Sequence, residues 1–262
     1  MKKRLKISII TVSLNSGSKI ERSIKSVINQ NYTKNKIEHI IIDGKSSDNT
    51  VNIIKKYNNK IKHWESHKDK GIYYAMNKGI KLCSGEIIGI LNSDDYYYPN
   101  TFNIVNNYFL KHKIDFLFGS VQHKKLYHGF YPKKIWYKLN IYPSHSVGFF
   151  IKRTVQQKIG LYNTNFRFSS DRDLLYRLIR SKFIGMATNK NEIFGKFAVD
   201  GLSSRLPYYT RLIEEIRIRA NNKQSKNRQP CLGIGWFLGN FRHEYIQFAV
   251  QQQECPNFNF ST

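Results

Sequence analysis

The sequence predicts an α/β protein built on a largely parallel sheet flanked by helices, and three observations carry that expectation. Runs of β-branched residues alternate with segments of helical apolar spacing through the first hundred residues. The first run is rich in β-branched residues along its whole length, as a strand covered on both faces should be. Polar clusters follow the runs, at the strand ends where such sheets bind ligands.

The elements follow in order. Lys6 to Val12 (KISIITV) reads as the first strand, closed by the cluster Thr11-Val12-Ser13-Leu14-Asn15. Ser18 and Glu21 make a capping-box pattern before a helix with Ile20, Ile24, Val27 and Ile28 on one stripe. Glu38 to Ile42 is the second strand, and Asp43-Gly44-Lys45-Ser46-Ser47-Asp48 follows it. Asp48 suits the N-cap of a helix carrying Val51, Ile54 and Tyr57 on one face. A short strand near Ile61 to Trp64 precedes a helix from about Gly71, whose stripe is Ile72, Met76, Gly79, Ile80 and Cys83. The fourth strand, Glu86 to Leu91, runs into Asn92-Ser93-Asp94-Asp95. Beyond it, Asp115 to Gln122 and Val147 to Ile151 read as strands. Asp171 to Arg180 reads as a helix with Leu174, Leu175 and Leu178 inside.

Composition narrows the classes. A chain of 262 residues, 40% hydrophobic and 14% aromatic, can bury a full core. Forty-three basic against 18 acidic residues leave a formal charge of +25. That charge suits an anionic partner such as nucleic acid, acidic lipid or a phosphorylated small molecule, or it follows from a general richness in Lys, Asn and Ile. Cys83, Cys231 and Cys255 are odd in number and form no C-x-x-C, so neither a disulfide framework nor a zinc site is indicated. The start, MKKRLKISIITV, has the basic opening of a signal peptide. Its apolar run soon meets Ser13, Asn15 and Ser16, and no small-residue cleavage pattern follows. No run reaches the ~18 apolar residues of a membrane span. The expectation is a cytoplasmic protein, or one peripheral at the inner face of the plasma membrane.

Several familiar sites are excluded. Gly44-Lys45-Ser46 resembles the end of a phosphate-binding P-loop, but His39 stands where its first glycine belongs. No G-x-G-x-x-G follows the first strand, and no G-x-S-x-G is present. His63 and His67 lie on a strand or loop, not on one helix face. The acids are more informative. Asp94 and Asp95 at a strand end suit a hard divalent cation, Mg2+ or Mn2+, that keeps positions open for substrate phosphates, or else a solvated turn. Asp43 suits hydrogen bonds to a nucleotide base or ribose, or an Asx-turn. Asp171 and Asp173 fall in a helix's first turn, where dipole complementarity accounts for them and a general base is the alternative.

In combination and order these segments resemble a family 2 glycosyltransferase of the GT-A fold, over roughly residues 5 to 205. The resemblance is carried by ISIITVSLN (Ile7 to Asn15), EHIIIDGKSSDNT (Glu38 to Thr50), DKGIYYAMNKG (Asp69 to Gly79) and SGEIIGILNSDD (Ser84 to Asp95). His145 with FFIKR (Phe149 to Arg153) and SSDRDLLYRL (Ser169 to Leu178) complete it. It implies a nucleotide-sugar donor, a UDP-sugar, a divalent metal, and inversion at the anomeric carbon. It also implies a saccharide or lipid-linked acceptor in cell-surface polysaccharide assembly. Position by position, it places Thr11, Ser13, Asn15, Asp43, Asp69, Asn77 and Asp94 on the donor, Asp95 with Asp94 on the metal, and Asp171 as the catalytic base. Arg205 is a further phosphate contact, and His145 lines the acceptor or phosphate site or is structural. Tyr74 stands where relatives often carry an acid, and Ser170-Asp171 where they commonly carry Glu-Asp, which leaves the base to be settled between Asp171 and Asp173.

The domain reading that follows is a GT-A domain over 1–205, with a nucleotide-sugar-binding half (1–98) and an acceptor half (99–205), then a helical extension over 206–262. That extension pairs Arg211, Arg217, Arg219, Lys223, Lys226 and Arg228 with Trp236, Phe237, Phe241, Tyr245 and Phe248, which suits an anionic membrane surface or a helix packed on the domain. A basic nucleic-acid-binding protein is the rival reading. Acids gathered at the strand ends would repel a polyanion, so no nucleic acid is expected. A sugar nucleotidyltransferase shares the fold and metal, but Asn15-Ser16-Gly17-Ser18 is a poor version of its glycine-rich, basic first loop.

Overall fold

The computed structural model describes residues 3–136, 145–198 and 207–223. The first half follows the expected alternation: β1 (Ile7–Ser13), α1 (Ile20–Ile28), β2 (Ile37–Asp43), α2 (Thr50–Lys56), β3 (His63–Ser66), α3 (Ile72–Leu82) and β4 (Ile87–Asn92). Then come β5 (Tyr96–Tyr97), α4 (Thr101–Lys111), β6 (Phe116–Phe118), β7 (Ser120–Gln122) and β8 (Leu126–Tyr127). β9 (Phe149–Lys152), α5 (Arg153–Ile159), α6 (Ser170–Arg180), β10 (Gly185–Ala187), β11 (Ile193–Lys196) and α7 (Tyr208–Asn221) complete the described elements.

Seven strands form the main sheet in the order β10-β6-β9-β4-β1-β2-β3. β1 runs parallel to β2 and β4, and β2 to β3. β9 alone is antiparallel to its neighbours, β4 and β6. The stretch Asp115 to Gln122 is not one strand. It divides at Gly119, and β7 joins a smaller sheet in the order β5-β11-β7-β8. A Cβ on Gly119 would lie 2.2 Å from the Phe194 ring, so the crossing between sheets requires glycine there.

All seven residues of β1 are buried. Ile10 and Val12 pack with Met76 and Ile80 of α3, whereas Ile7 and Ile9 pack with Val27 of α1 and Phe102 and Val105 of α4. Each such aliphatic side chain contributes roughly 1.5–3 kcal/mol by leaving water. α3 approaches closely because Gly79 faces Ile10, where a Cβ would sit 2.3 Å from a methyl group.

Two caps differ from expectation. α1 starts on Lys19 without a side-chain cap; the Lys19 and Ile20 amides donate to the Ser16 carbonyl instead. Glu21 is taken by the Tyr57 hydroxyl at 2.7 Å. Asp48 lies one position before the helix-flanking Asn49. It accepts from the Thr50 amide at 3.0 Å and, through its other oxygen, from the Gly17 amide at 2.9 Å.

The C-terminal segment is less separate than the sequence suggests. Glu215 of α7 accepts from Arg219 at 2.9 Å, the Tyr176 hydroxyl at 3.1 Å and Arg172 at 3.2 Å. Glu214 accepts from the Arg167 and Phe168 amides, and Asn222 donates to Asp173 at 3.0 Å. α7 is therefore packed onto α6, the second of the two arrangements that the sequence leaves open. Arg219 is 1% exposed and ion-paired, so it is no surface contact for a lipid headgroup. Lys226, Arg228 and the aromatic stretch from Trp236 to Phe248 lie outside the described residues. Among the described residues no helix is long and apolar enough to cross a membrane.

Candidate active site

Parallel pairing in register brings the ends of β1, β2 and β3 level: Ser13 pairs with Asp43, and Asp43 with Ser66. Asp43 is fully buried. Its Oδ1 accepts from the Ser13 hydroxyl at 2.9 Å and the Ser46 hydroxyl at 2.5 Å. Its Oδ2 accepts from the Ser46 amide at 2.9 Å and the Ser66 hydroxyl at 2.6 Å. An ionised carboxylate offers about four acceptor sites, and all are used. Asp43 thus joins three strand-end loops, and the hydroxyls around it, rather than its own oxygens, are the groups able to turn outward.

Asn15, with a left-handed φ of 48°, braces the same loops. Its side-chain oxygen accepts from the Ser47 amide at 2.9 Å, and its own amide donates to the Ser46 hydroxyl at 2.8 Å. Leu14 beside it is 60% exposed. Asp69 accepts from the Gly71 amide at 2.9 Å and lies against Gly44. It forms one wall of a cavity of about 360 Å³ with Lys68, Lys70, Tyr74 and Lys78.

Two residues expected on the donor have side chains engaged within the fold. Thr11 is fully buried within β1, and its hydroxyl shares a 2.9 Å hydrogen bond with Nε2 of the buried His39. Burial depresses the His39 pKa to about 3, so that ring is neutral. The period of two places Thr11 on the same covered face as Ile7 and Ile9. Asn77 is also inward. It donates to the Tyr162 carbonyl at 2.8 Å and accepts from the Tyr162 amide at 2.9 Å, fixing the loop before α6 to α3. Arg205 lies outside the described residues.

The second half of the site is built around His145. Its Nδ1 lies 3.2 Å from Asp95 Oδ2 and 3.1 Å from the Ser146 hydroxyl. Asp95 is almost wholly buried. It also accepts from the Ala198 amide at 3.0 Å and from the Asn92 side chain at 3.2 Å. Burial opposes a charge on His145, but Asp95, with Asp171 and Asp94 beyond it, outweighs burial and raises the imidazole pKa above its ordinary value. Asp94 differs from its neighbour. Burial, and then the Asp95 charge, raise its pKa, and its carboxylate takes no hydrogen bond from another described residue.

Asp171 lies in the first turn of α6, near enough to His145 for the two charges to act on each other. Its Oδ1 accepts from the Arg172 amide at 2.9 Å and the Tyr73 hydroxyl at 3.4 Å. Burial raises its pKa, against the opposing pulls of Arg172, His145 and Tyr73. Asp173 is engaged elsewhere, by Arg177 at 2.8 Å and by Asn222. Of the two acids at this helix start, Asp171 faces the cleft.

The structure therefore brings Ser13, Asn15, Asp43, Asp69, Asp94, Asp95, His145 and Asp171 to one edge of the sheet. Reading the sequence missed Tyr73, Asn92, Ser146 and the Ala198 amide. Asn92 and Ser146 carried a weak signal as polar residues bordering apolar runs; a backbone amide carries none. Among the described residues no group of three or more His, Cys, Asp or Glu side chains could hold a metal ion. The donors present instead are the Asp94 and Asp95 carboxylates, a set that a hard cation completes with substrate oxygens.

Comparison with known proteins agrees with this architecture. The chain is 16% identical to the Staphylococcus aureus TarS 1-349 structure, with a TM-score of 0.65 over 83% of this chain and 65% of that one. TarS has also been solved with UDP and with UDP-GlcNAc. The poly(ribitol-phosphate) beta-N-acetylglucosaminyltransferase TarP of Staphylococcus aureus (strain N315) is 34% identical over 117 residues, 44% of this chain and 36% of TarP. The UDP-Glc:alpha-D-GlcNAc-diphosphoundecaprenol beta-1,3-glucosyltransferase WfgD of Escherichia coli is 33% identical over 117 residues, 44% of this chain and 46% of WfgD. The first curated relatives are matched over only about a third of their length, 34% to 36%. The fold is GT-A-like, a mixed but mostly parallel sheet between helices. The family model for Glycosyl transferase family 2 matches residues 8–179, from β1 through the helix that carries Asp171, and the chain belongs to that family.

Proposed function

We propose that this cleft transfers a sugar from a nucleotide-diphosphate donor, a UDP-sugar, to a saccharide or lipid-linked saccharide acceptor, with inversion at the anomeric carbon. The observation that carries the reading is the gathering of three carboxylates near His145: Asp95 at 3.2 Å, and Asp94 and the half-buried Asp171 close enough to act on its charge. The relatives' names support the substrate classes, since WfgD is named for a UDP-Glc donor and a diphosphoundecaprenol acceptor. Assembly of a cell-surface polysaccharide is the setting that fits.

In this reading Asp171 takes the proton of an acceptor hydroxyl. The acceptor oxygen bonds to the anomeric carbon as the bond from that carbon to the diphosphate oxygen breaks, and the electron pair leaves on the diphosphate. Burial suits Asp171 to the task, because a raised pKa brings a carboxylate nearer the operating pH of a general base. Tyr73 and the Arg172 amide hold its Oδ1, leaving Oδ2 toward the acceptor. Ser13, Asn15 and Asp69 shape the nucleotide end, with Asp43 fixing the loops around it. A divalent cation, Mg2+ or Mn2+, fits Asp94 and Asp95 and would neutralise the diphosphate. Two carboxylates side by side, one of them raised by burial and then by its neighbour's charge, favour such a cation. Among the described residues Asp94 keeps its oxygens free, whereas Asp95 is already held by His145, Asn92 and Ala198.

The experiment is a panel of nucleotide sugars assayed for thermal stabilisation with and without Mn2+ or Mg2+. Ligand at 100 times its Kd stabilises by about 2.7 kcal/mol. A metal-dependent rise in Tm with a UDP-sugar, lost in Asp94→Ala, is the expected result. No rise with any nucleotide sugar in either metal overturns the reading.

A further inference from the structure

Phe197 lies between two imidazoles. Its ring is parallel to that of His145 within 5°, with centroids 4.5 Å apart, and to that of His123 within 10° at 4.4 Å. Tyr127 closes the edge at 5.7 Å. The next residue, Ala198, donates its amide to Asp95 Oδ1 at 3.0 Å, while the Phe197 amide donates to the Gln122 carbonyl at 3.1 Å. Two consecutive residues leaving β11 thus hold both halves of the Asp95–His145 pair, one by a backbone N–H and one by a ring face. Stacking fixes the plane of the imidazole, and the bond to Asp95 fixes its rotation within that plane. With Nδ1 directed inward, Nε2 has no partner among the described residues, and the side chain keeps 31% of its surface exposed.

We propose that Phe197, stacked between His123 and His145, is a positioning residue for transfer: it holds His145 with Nδ1 on Asp95 and Nε2 open to the cleft, where the ring edge meets the departing diphosphate. The inference rests on the function proposed above. A preorganised polar contact at the leaving group lowers the barrier without cost at the moment of reaction. A ring free to swing loses that advantage even where the donor still binds. His123 is the outer support, so its replacement by Phe keeps the stack and its replacement by Ala does not.

The test compares steady-state transfer in wild type, Phe197→Leu, Phe197→Tyr, His145→Asn and the Phe197→Leu/His145→Asn double variant, with Tm measured for each. Leucine keeps an apolar filling without the aromatic face. Phe197→Leu should lower kcat about 10- to 100-fold with little change in the donor KM, as a small misplacement near the chemistry does. Phe197→Tyr should restore kcat. In the His145→Asn background the leucine substitution should cost almost nothing further. An unchanged kcat in Phe197→Leu, or an equal loss with and without His145, overturns the proposal. The His145 side-chain resonance in a 1H–15N spectrum reads the ring independently of activity. It should shift in Phe197→Leu, and an unmoved resonance also counts against the proposal. If wild type transfers from no nucleotide sugar, the proposed function falls, while that resonance still decides whether Phe197 sets the ring.

Discussion

Asp173 Oδ2 accepts the Arg177 guanidinium at 2.8 Å, one helical turn away, and this bond takes Asp173 out of the cleft. Arg177 then donates to the Ile159 and Leu161 carbonyls at 2.6 and 2.8 Å, so the pair ties α6 to the loop after α5. Asp173→Asn should cost ~1–3 kcal/mol of stability, the range for a hydrogen bond to a charged group. Turnover of the folded fraction should stay close to wild type. Urea denaturation together with activity per folded molecule checks both.

Asp171 should show the opposite sign. Its folded pKa lies above the ordinary carboxylate value, chiefly through burial. Such a group adds stability that is full below the unfolded pKa and is lost as pH rises through the folded one. At neutral pH the ionised form is a net cost, so Asp171→Asn should raise Tm relative to wild type. The gain should shrink as pH falls toward 4. Thermal scans of both proteins at several pH values give the comparison.

Much of this layout is legible in the sequence, for physical reasons that vary by element. β1 and β2 announce themselves because a strand covered on both faces must be apolar nearly throughout, and Ile7–Val12 and Ile40–Ile42 are. The site falls at their carboxyl ends because parallel pairing in register brings those strand-end loops level. The hydroxyl of Thr11, two residues from the strand end, is bonded to His39 on the neighbouring strand, a contact that no local pattern in the sequence records. Asn77 is hidden because its partner is the backbone of Tyr162, 85 residues away. The division of Asp115–Gln122 into two sheets depends on Phe194 pressing against Gly119, a contact no local pattern records. The basic residues of α7 suit a membrane surface or a packed helix equally, and only the inward pairing of Glu214, Glu215 and Arg219 tells the two apart for this helix.

That last pairing carries a measurable consequence. Glu215→Ala would leave Arg219 buried without its partner and should cost ~3–5 kcal/mol. Replacing both, as Glu215→Leu with Arg219→Met, should recover most of that loss, because well-packed apolar groups can stand in for a buried ion pair. Deletion of 207–262 should likewise destabilise the fold rather than release an intact domain. Denaturant midpoints for the three variants decide it.

At the opposite end of the sheet, Glu38 accepts from the Ser84 amide at 2.8 Å, the Ser84 hydroxyl at 2.7 Å, Lys6 at 3.2 Å and the Ser8 hydroxyl. Burial opposes its charge, but these donors outweigh burial and lower the pKa to about 2. A depressed carboxylate contributes stability that is present above its unfolded pKa and lost as pH falls through the folded one. The acid limb of the stability curve between about pH 4.5 and about pH 2 should therefore flatten in Glu38→Gln, which is already less stable at pH 7.

Removal of the acceptor proton by Asp171, in a cleft that binds a nucleotide sugar, is tested most directly by donor-saturated turnover of Asp171→Asn. A UDP-sugar with Mn2+ or Mg2+ should still raise the Tm of this variant, while kcat falls by about 10²- to 10⁴-fold, the usual contribution of a general base. Turnover equal to wild type under the same donor saturation would contradict it.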